Sequence, residues 1–407
     1  MTESIRQNKL LVQFMFLSVL GGTGMGIAQI AITLYAVNLG ATSSQIGLIG
    51  GAQGIGLLLT VLPIGFLVDH VGPRKVFIFG AVATSLLYLL FPFANSSQTL
   101  CYFVAIVGFF SAFRFIPMSS VFLEFVKTIG SDKAGWQRGS HSFGMVFLGP
   151  LSGAFMSKYW GFNATFYAVS ASVLLLVVGA LAIFPDAKAS GASTLVERWT
   201  HVKELFHDHN ILEASSAEAL ALATFSCFNA FIIVLAIRVF HISAQVASLF
   251  VSLEGLVFIA TLFTLWRLLD RLGERRFYLT SIAFVVTGLI FLSSLWHPLF
   301  LVIGTVFVGI GLGMFNLVNV TRIAYANVDK GKTAGMFAMF TIAGSIIGPV
   351  VGGFAGELFG ARSVFLIFIP LYLALSVKLY LRHHAPAAVV DDALLVQPFN
   401  KEYGDEH

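Results

Sequence analysis

Charge is scarce in this chain. Only 11% of its 407 residues are Asp, Glu, Lys or Arg, against about 25% in a soluble domain. Hydrophobic residues make up 57%, and mean hydropathy is +0.88. Such a chain has too little polar surface to face water on every side. Cysteine is scarcer still. Cys101 and Cys227 both lie in apolar runs, which reads as small buried side chains rather than a disulfide or a metal site. The histidines are scattered with no metal-ligand spacing. There is no Walker-type glycine loop, and no nucleophile–base pair marks a membrane-embedded enzyme, so no cofactor and no enzyme activity are expected. The net charge of +4 is not read as nucleic-acid affinity, because its meaning lies in where the cations fall. The ten-residue alternation of an outer-membrane barrel is missing. No small-residue cleavage box follows Arg6 and Lys9, so the first apolar run is expected to stay in place.

What the chain has is long apolar segments. Twelve can be marked, at about 10–37, 43–68, 74–93, 99–125, 138–158, 163–184, 212–236, 245–268, 275–294, 298–324, 333–357 and 362–382. Lipid offers backbone groups no partners, so each segment is expected to be a helix. The fold class is therefore an all-α polytopic membrane protein with twelve transmembrane helices. Cations set the orientation. With the N-terminus in the cytoplasm, twenty of the 24 Lys and Arg fall inside. Only Lys158, Arg238 and Arg362 fall outside, and Arg114 lies within a segment. That asymmetry predicts both termini in the cytoplasm; the expected location is a bacterial cytoplasmic (inner) membrane.

The longest connection, 185–211, divides the segments six and six. Thr194 and Glu197 form a capping-box pattern. Leu195, Val196, Trp199, Val202, Leu205 and Phe206 share one helical face. This predicts a cytoplasmic linker carrying an amphipathic helix on the membrane surface. The organisation is then a bundle at 1–184, the linker at 185–211, a second bundle at 212–382, and a polar tail at 383–407 expected to be disordered.

The halves repeat one another. Gly65-Phe66-Leu67-Val68-Asp69-His70-Val71-Gly72-Pro73-Arg74-Lys75 lies between segments 2 and 3, and Asp270-Arg271-Leu272-Gly273-Glu274-Arg275-Arg276 lies between segments 8 and 9. Asp69, Gly72 and Arg74 match Asp270, Gly273 and Arg275 at a constant offset of 201 residues. Trp266 stands where the first copy has Gly65. The first copy is similar to the cytoplasmic loop motif of the major facilitator superfamily (MFS), and the chain resembles its twelve-helix drug or metabolite:proton antiporter group. The resemblance implies two pseudo-symmetric six-helix bundles that rock about a central site. In that fold Asp69 ends helix 2 facing the positive N-terminus of helix 11. Gly72 permits a tight turn, Arg74 can pair with Glu124, the acid at the inner end of helix 4, and Lys75 completes the motif. The set reads as a latch on the inner gate, with Asp270, Gly273, Arg275 and Arg276 as a looser second copy. A topological anchor with no moving role is the alternative.

Helix 11 carries Gly344-Ser345-Ile346-Ile347-Gly348-Pro349-Val350-Val351-Gly352-Gly353. Glycines at spacing four let helices approach, and a proline bends them. The string is similar to one that antiporters of this superfamily carry in helix 5. Here helix 5 holds only Gly149-Pro150-Leu151-Ser152-Gly153, with Met145 and Ala154 at the remaining glycine positions.

Arg114 is the one cation deep in a segment. A charge at that depth costs about 2.5–3.5 kcal/mol on insertion scales, so it is expected to face the cavity and, by the resemblance, to help couple protons. Glu254 in segment 8 and Glu218 in segment 7 are the candidate proton carriers, because burial disfavours a charged carboxylate. A hydrogen-bonded core group is the other reading of both. Glu213, nearer the segment mouth, reads as interfacial. Gln29, Gln53, Asn229, Asn316 and Asn319 can line a cargo cavity or bridge helices, and the 41 phenylalanines suit an aromatic cavity as well as lipid-facing filler.

The expected function is alternating-access transport of a small organic solute by a monomer in the bilayer, as proton-driven efflux. Proton-coupled import or facilitated passage of a metabolite or metal-chelating, siderophore-like compound is the alternative. A transport-dead membrane sensor or a membrane-embedded enzyme is the rival from a different class.

Overall fold

The structure is a computed structural model that describes residues 2–129, 133, 136–184, 209–324 and 330–382. The predicted linker helix and the polar tail therefore lie outside the described residues, apart from 209–211 at the linker's end. No strand occurs among the described residues. Among the described residues, ten helices are long and apolar enough to cross a membrane. Numbered as crossings, they are α1 (Thr2–Asn38), α2 (Ser43–Val71), α3 (Pro73–Leu90), α4 (Ser97–Ile129), α6 (Gly161–Ile183), α7 (His209–Arg238), α8 (Ala244–Thr264), α9 (Glu274–Ser294), α10 (Pro298–Ala324) and α11 (Lys330–Phe359). Two further crossings are broken. The fifth, α5, runs as Trp136–Phe143, a π-helical turn Gly144–Leu148, and Gly149–Tyr159. The twelfth, α12, runs as Ser363–Leu366 and Ile369–Arg382. Twelve crossings and the six-plus-six arrangement follow.

Each break has a local cause. Pro150 cannot donate a backbone hydrogen bond. The turn before it widens, and the Gly149 N–H donates to Gly144 O, five residues back in the π pattern. In the second bundle α8 stops at Thr264, pauses at Leu265, and resumes as a short helix Trp266–Leu272. Its counterpart α2 runs unbroken through Gly65. The break falls where the repeat replaces glycine by tryptophan.

Within each bundle, small residues bring backbones together. In the first, Gly26 of α1 meets Gly149, where an added Cβ would come within 2.6 Å of the Gly26 Cα. In the second, Gly344 and Gly348 of α11 abut Ala219 and Ala223 of α7, leaving no room for a side chain. The two pairs, α1 with α5 and α7 with α11, occupy equivalent places in the repeat.

Two helix pairs make the most extensive contacts between the bundles. α2 packs along α11, with Gly47 and Gly51 against Pro349, Gly353 and Ile346. α8 packs along α5, with Gly255 against Val146 and the Ser252 hydroxyl donating to Phe147 O at 3.3 Å. The glycine-backed α2–α11 contact sits toward the face opposite the chain ends, here called the far face. The face where α1 begins and α12 ends is the terminal face. At the far face the bundles are drawn together.

Candidate functional site

Three polar groups sit inside this apolar framework. The largest lies in the second bundle toward the terminal face. Glu218, buried on α7, accepts hydrogen bonds from Asn316 Nδ2 at 2.8 Å and Asn319 Nδ2 at 2.7 Å, both on α10. The Tyr278 hydroxyl donates to Asn319 Oδ1 at 3.2 Å. The Arg322 guanidinium lies over the Tyr278 ring, 5.1 Å from its centroid. Arg322 pairs closely with Glu274 and reaches Glu213 at 3.5 Å. Lys378 of α12 holds the other Glu213 oxygen at 3.1 Å. Four helices, α7, α9, α10 and α12, are thus tied by one connected set of charges and amides. Thr224 and Tyr372 add a hydroxyl pair at 3.0 Å between α7 and α12. Both Glu218 oxygens are satisfied, as a buried polar group requires.

Glu254 is the opposite case. It lies in the middle of α8, fully buried, and neither carboxyl oxygen has a hydrogen-bond partner. Its backbone lies against Gly309 of α10, and the next residue, Gly255, presses on Val146 in the π-helical turn of α5. A carboxylate there is an uncompensated charge in a low-dielectric site; the neutral acid is not. The residue sits one position from a contact between bundles, beside the one widened helical turn among the described residues.

The third group is in the first bundle. Arg114 of α4 makes no ion pair among the described residues, and its Nε is buried without a partner. Its guanidinium carbon lies 5.9 Å from the Phe115 ring centroid, a weak cation–π contact. The Phe115 ring stands edge-on to His141 of α5 at 5.4 Å.

The remaining sequence candidates are spread out. Gln29 and Gln53 are half-buried. Asn229 is buried and returns its Nδ2 to Phe225 O at 3.0 Å, within α7 itself. Of the polar cavity candidates, only Asn316 and Asn319 meet a proton-carrier candidate.

The loop motif takes the tight form its glycine allows. Gly72 alone separates α2 from α3 and has φ +95°, strained for any side chain. Gly273 has φ +73° in the second copy. Asp69 and Arg74 are half-buried and Lys75 is exposed. Glu124, read as the partner of Arg74, pairs with Lys127 on its own helix at 2.6 Å, with both side chains mostly in solvent. In the second copy Arg275 is half-buried and Arg276 exposed; the Asp270 side chain lies outside the described ones. That copy makes the loop-to-helix link with charges exchanged: its Glu274 meets Arg322 at the end of α10, where the first bundle has an acid on α4. In the helix-bend strings, Gly344 and Gly348 face α7, Pro349 and Gly353 face α2 of the other bundle, and Gly352 abuts Cys227 and Val364.

Sequence reading missed Tyr278, Arg322, His141 and Lys378 as members of polar clusters. Arg322 and Lys378 counted only among the cytoplasmic cations, and nothing in the sequence singled out Tyr278. Only their meeting in space marks them.

A sequence profile described as Major Facilitator Superfamily matches residues 14–237 and 214–395. The chain belongs to the Major Facilitator Superfamily of membrane transporters and is an integral, multi-pass membrane protein. It is similar to the multidrug resistance protein MdtG of Klebsiella pneumoniae (strain 342), 24% identical over 92% of this chain and 93% of the relative. It is likewise similar to multidrug resistance protein 2 of Bacillus subtilis (strain 168), 24% identical over 88% of this chain and 92% of the relative. The fold resembles the crystal structure of the nucleoside transporter NupG, with TM-score 0.77 and 17% identity over 92% of this chain and 99% of that one. A bacterial homologue of the human lysosomal transporter Spinster, in an inward-facing and unoccupied conformation, gives TM-score 0.74 at 12% identity, over 93% and 97% of the two chains.

Proposed function

We propose that this transporter exports small organic compounds from the bacterial cytoplasm in exchange for protons, with both chain ends in the cytoplasm. The observation that carries the reading is Glu254: a fully buried acid with two unpartnered oxygens, on the helix that touches the other bundle. Burying an unpartnered polar group costs stability, and a protonation role in transport accounts for an acid at so costly a place. When the far side opens, water reaches it and it takes up a proton from outside. The neutral acid is tolerated as the far interface closes over it, and the proton leaves to the cytoplasm once the terminal side opens. Full-length relatives named for multidrug resistance support export and a cargo of organic compounds. The cation asymmetry supports placing the terminal face in the cytoplasm.

Glu218 has the supporting part. Its carboxylate is held by two amides and does not need a proton to be tolerated. It anchors α7 to α10, so the second bundle moves as a unit. No cofactor enters this cycle; the driving ion is the proton, and the transporter acts as a monomer.

The test is uptake into inverted proteoliposomes under an imposed pH gradient, with a fluorescent lipophilic dye as the cargo probe. Wild-type protein accumulates dye only with the gradient. Glu254→Gln loses gradient-driven accumulation while keeping dye exchange across the membrane at equal pH. Unchanged gradient-driven uptake in that variant removes Glu254 from the coupling.

A further inference from the structure

The far face is held by more than glycine packing. The turn between α1 and α2, residues 39–42, belongs to the first bundle, and the second bundle grips it at two points. Arg238, the last residue of α7, donates from an Nη atom to Ala41 O at 2.6 Å. Glu357, near the end of α11, accepts from the Ser44 N–H through Oε2 at 2.8 Å.

The first turn of α2 shows why Ser44 is the donor used. A helix begins with four N–H groups that have no partner within it. Thr42 and Gln45 cap each other in a reciprocal box: the Gln45 N–H donates to Thr42 Oγ1, and the Thr42 N–H to the Gln45 side chain at 3.0 Å. The Ile46 N–H reaches Thr42 O at 3.0 Å. The Ser44 N–H lies outside this box, and the opposite bundle supplies its acceptor. A carboxylate at that position also meets the positive end of the helix. The Ala41 carbonyl is free for Arg238 because Gly40, at φ +71°, turns the chain out of α1 while the Ala41 N–H returns to Ala36 O at 3.0 Å.

α2 and α11 run antiparallel, so each end of the pair holds the N-terminus of one and the C-terminus of the other. At the far end the acid near the C-terminus of α11 sits on the N-terminus of α2. At the terminal end Asp69 stands near the C-terminus of α2, the place that matches Glu357 on α11. We propose that Glu357 and Arg238 are the gating residues of the far face: a latch that closes when the bundles meet there and must release for the far side to open. It is the counterpart, on the same two helices, of the loop-motif latch at the other end. The grip is on backbone atoms of the α1–α2 turn, so it reads the position of the turn rather than any side chain of it.

The test uses the full-length protein in lipid nanodiscs and requires no cargo. Maleimide spin labels on cysteines replacing Asn95 and Trp296, exposed in far-face connections of the two bundles, report the far-face distance in a Cys101→Ser background; Cys227 is buried and inert. Glu357→Ala or Arg238→Ala alone raises the ratio of far-open to far-closed molecules about two- to fivefold, and the double variant about five- to twentyfold. Both side chains lie at a helix end on the surface, so the fold survives. A further variant combines Ser44→Cys with Glu357→Cys, whose thiols are joined by a disulfide before labelling. There the long-distance population disappears, and it returns on reduction. An unchanged distance distribution in the double alanine variant, or a persistent far-open population in the disulfide form, overturns the proposal.

Discussion

Gly47 and Gly348 both sit where helices touch, yet replacing them is expected to do different things. At Gly47 an added Cβ falls on the Pro349 carbonyl oxygen and lies 3.0 Å from the Gly353 Cα. Both obstacles are backbone, so neither can swing aside. α2 and α11 must separate, and they belong to different bundles. Overpacking of this kind costs about 1–3 kcal/mol. Because the strain exists only while the far face is closed, it moves the equilibrium between states by about 5- to 150-fold. At Gly348 the added Cβ falls on the Ala223 carbonyl, with the Ala223 Cα 2.6 Å away. That contact lies inside the second bundle and does not break on rocking. The same cost then appears as lost stability, a fall of about 2–10 °C in the unfolding midpoint. Gly47→Ala is expected to open the far face, read by spin-label distances, with little change in thermal unfolding in detergent. Gly348→Ala is expected to do the reverse. If Gly47→Ala lowers the midpoint as much as Gly348→Ala and leaves the distances alone, the division into two rigid bodies meeting at α2–α11 is wrong.

Further outcomes follow from the polar groups. Glu254→Leu removes two unpartnered buried oxygens and should stabilise the protein by about 1–3 kcal/mol while ending pH-driven uptake; a destabilised Leu variant would show that the carboxyl has a partner. Asn319→Leu leaves Glu218 Oε2 and the Tyr278 hydroxyl without partners and should cost about 2–4 kcal/mol. Adding Glu218→Leu should recover part of that loss, so strictly additive losses in this double-mutant cycle would refute the network. Asp69→Asn should slow turnover in proteoliposomes without weakening dye binding, and lost binding at normal expression would contradict a latch at the terminal face.

The membrane itself made much of the fold legible. A lipid core demands long apolar helices, so segment positions and the repeat offset of 201 residues could be read directly. α5 and α12 show the limit. Arg138, His141 and a π turn interrupt one, and Phe368 with Pro370 break the other, so neither forms one long apolar helix. The site was legible only as a set of suspects. Nothing in the spacing of Glu218 and Asn319, 101 residues apart, says that they touch. Nor does the sequence separate the satisfied acid from the orphaned one: Glu218 and Glu254 look alike until the amides of α10 are placed. Glu357 read as the ordinary end of a segment, and its grip on α2, 313 residues away, belongs to tertiary structure alone.

The central claim is that two bundles enclose a chamber open to one face at a time. Its most direct test is a reporter cysteine in place of Gln29, half-buried on α1. The protein carrying it is locked by the disulfide of the Ser44→Cys, Glu357→Cys pair and reconstituted in one orientation. A membrane-impermeant thiol reagent should label the reporter from the terminal face and fail from the far face, with far-face labelling recovered on reduction. Labelling from both faces in the locked state would contradict alternating access.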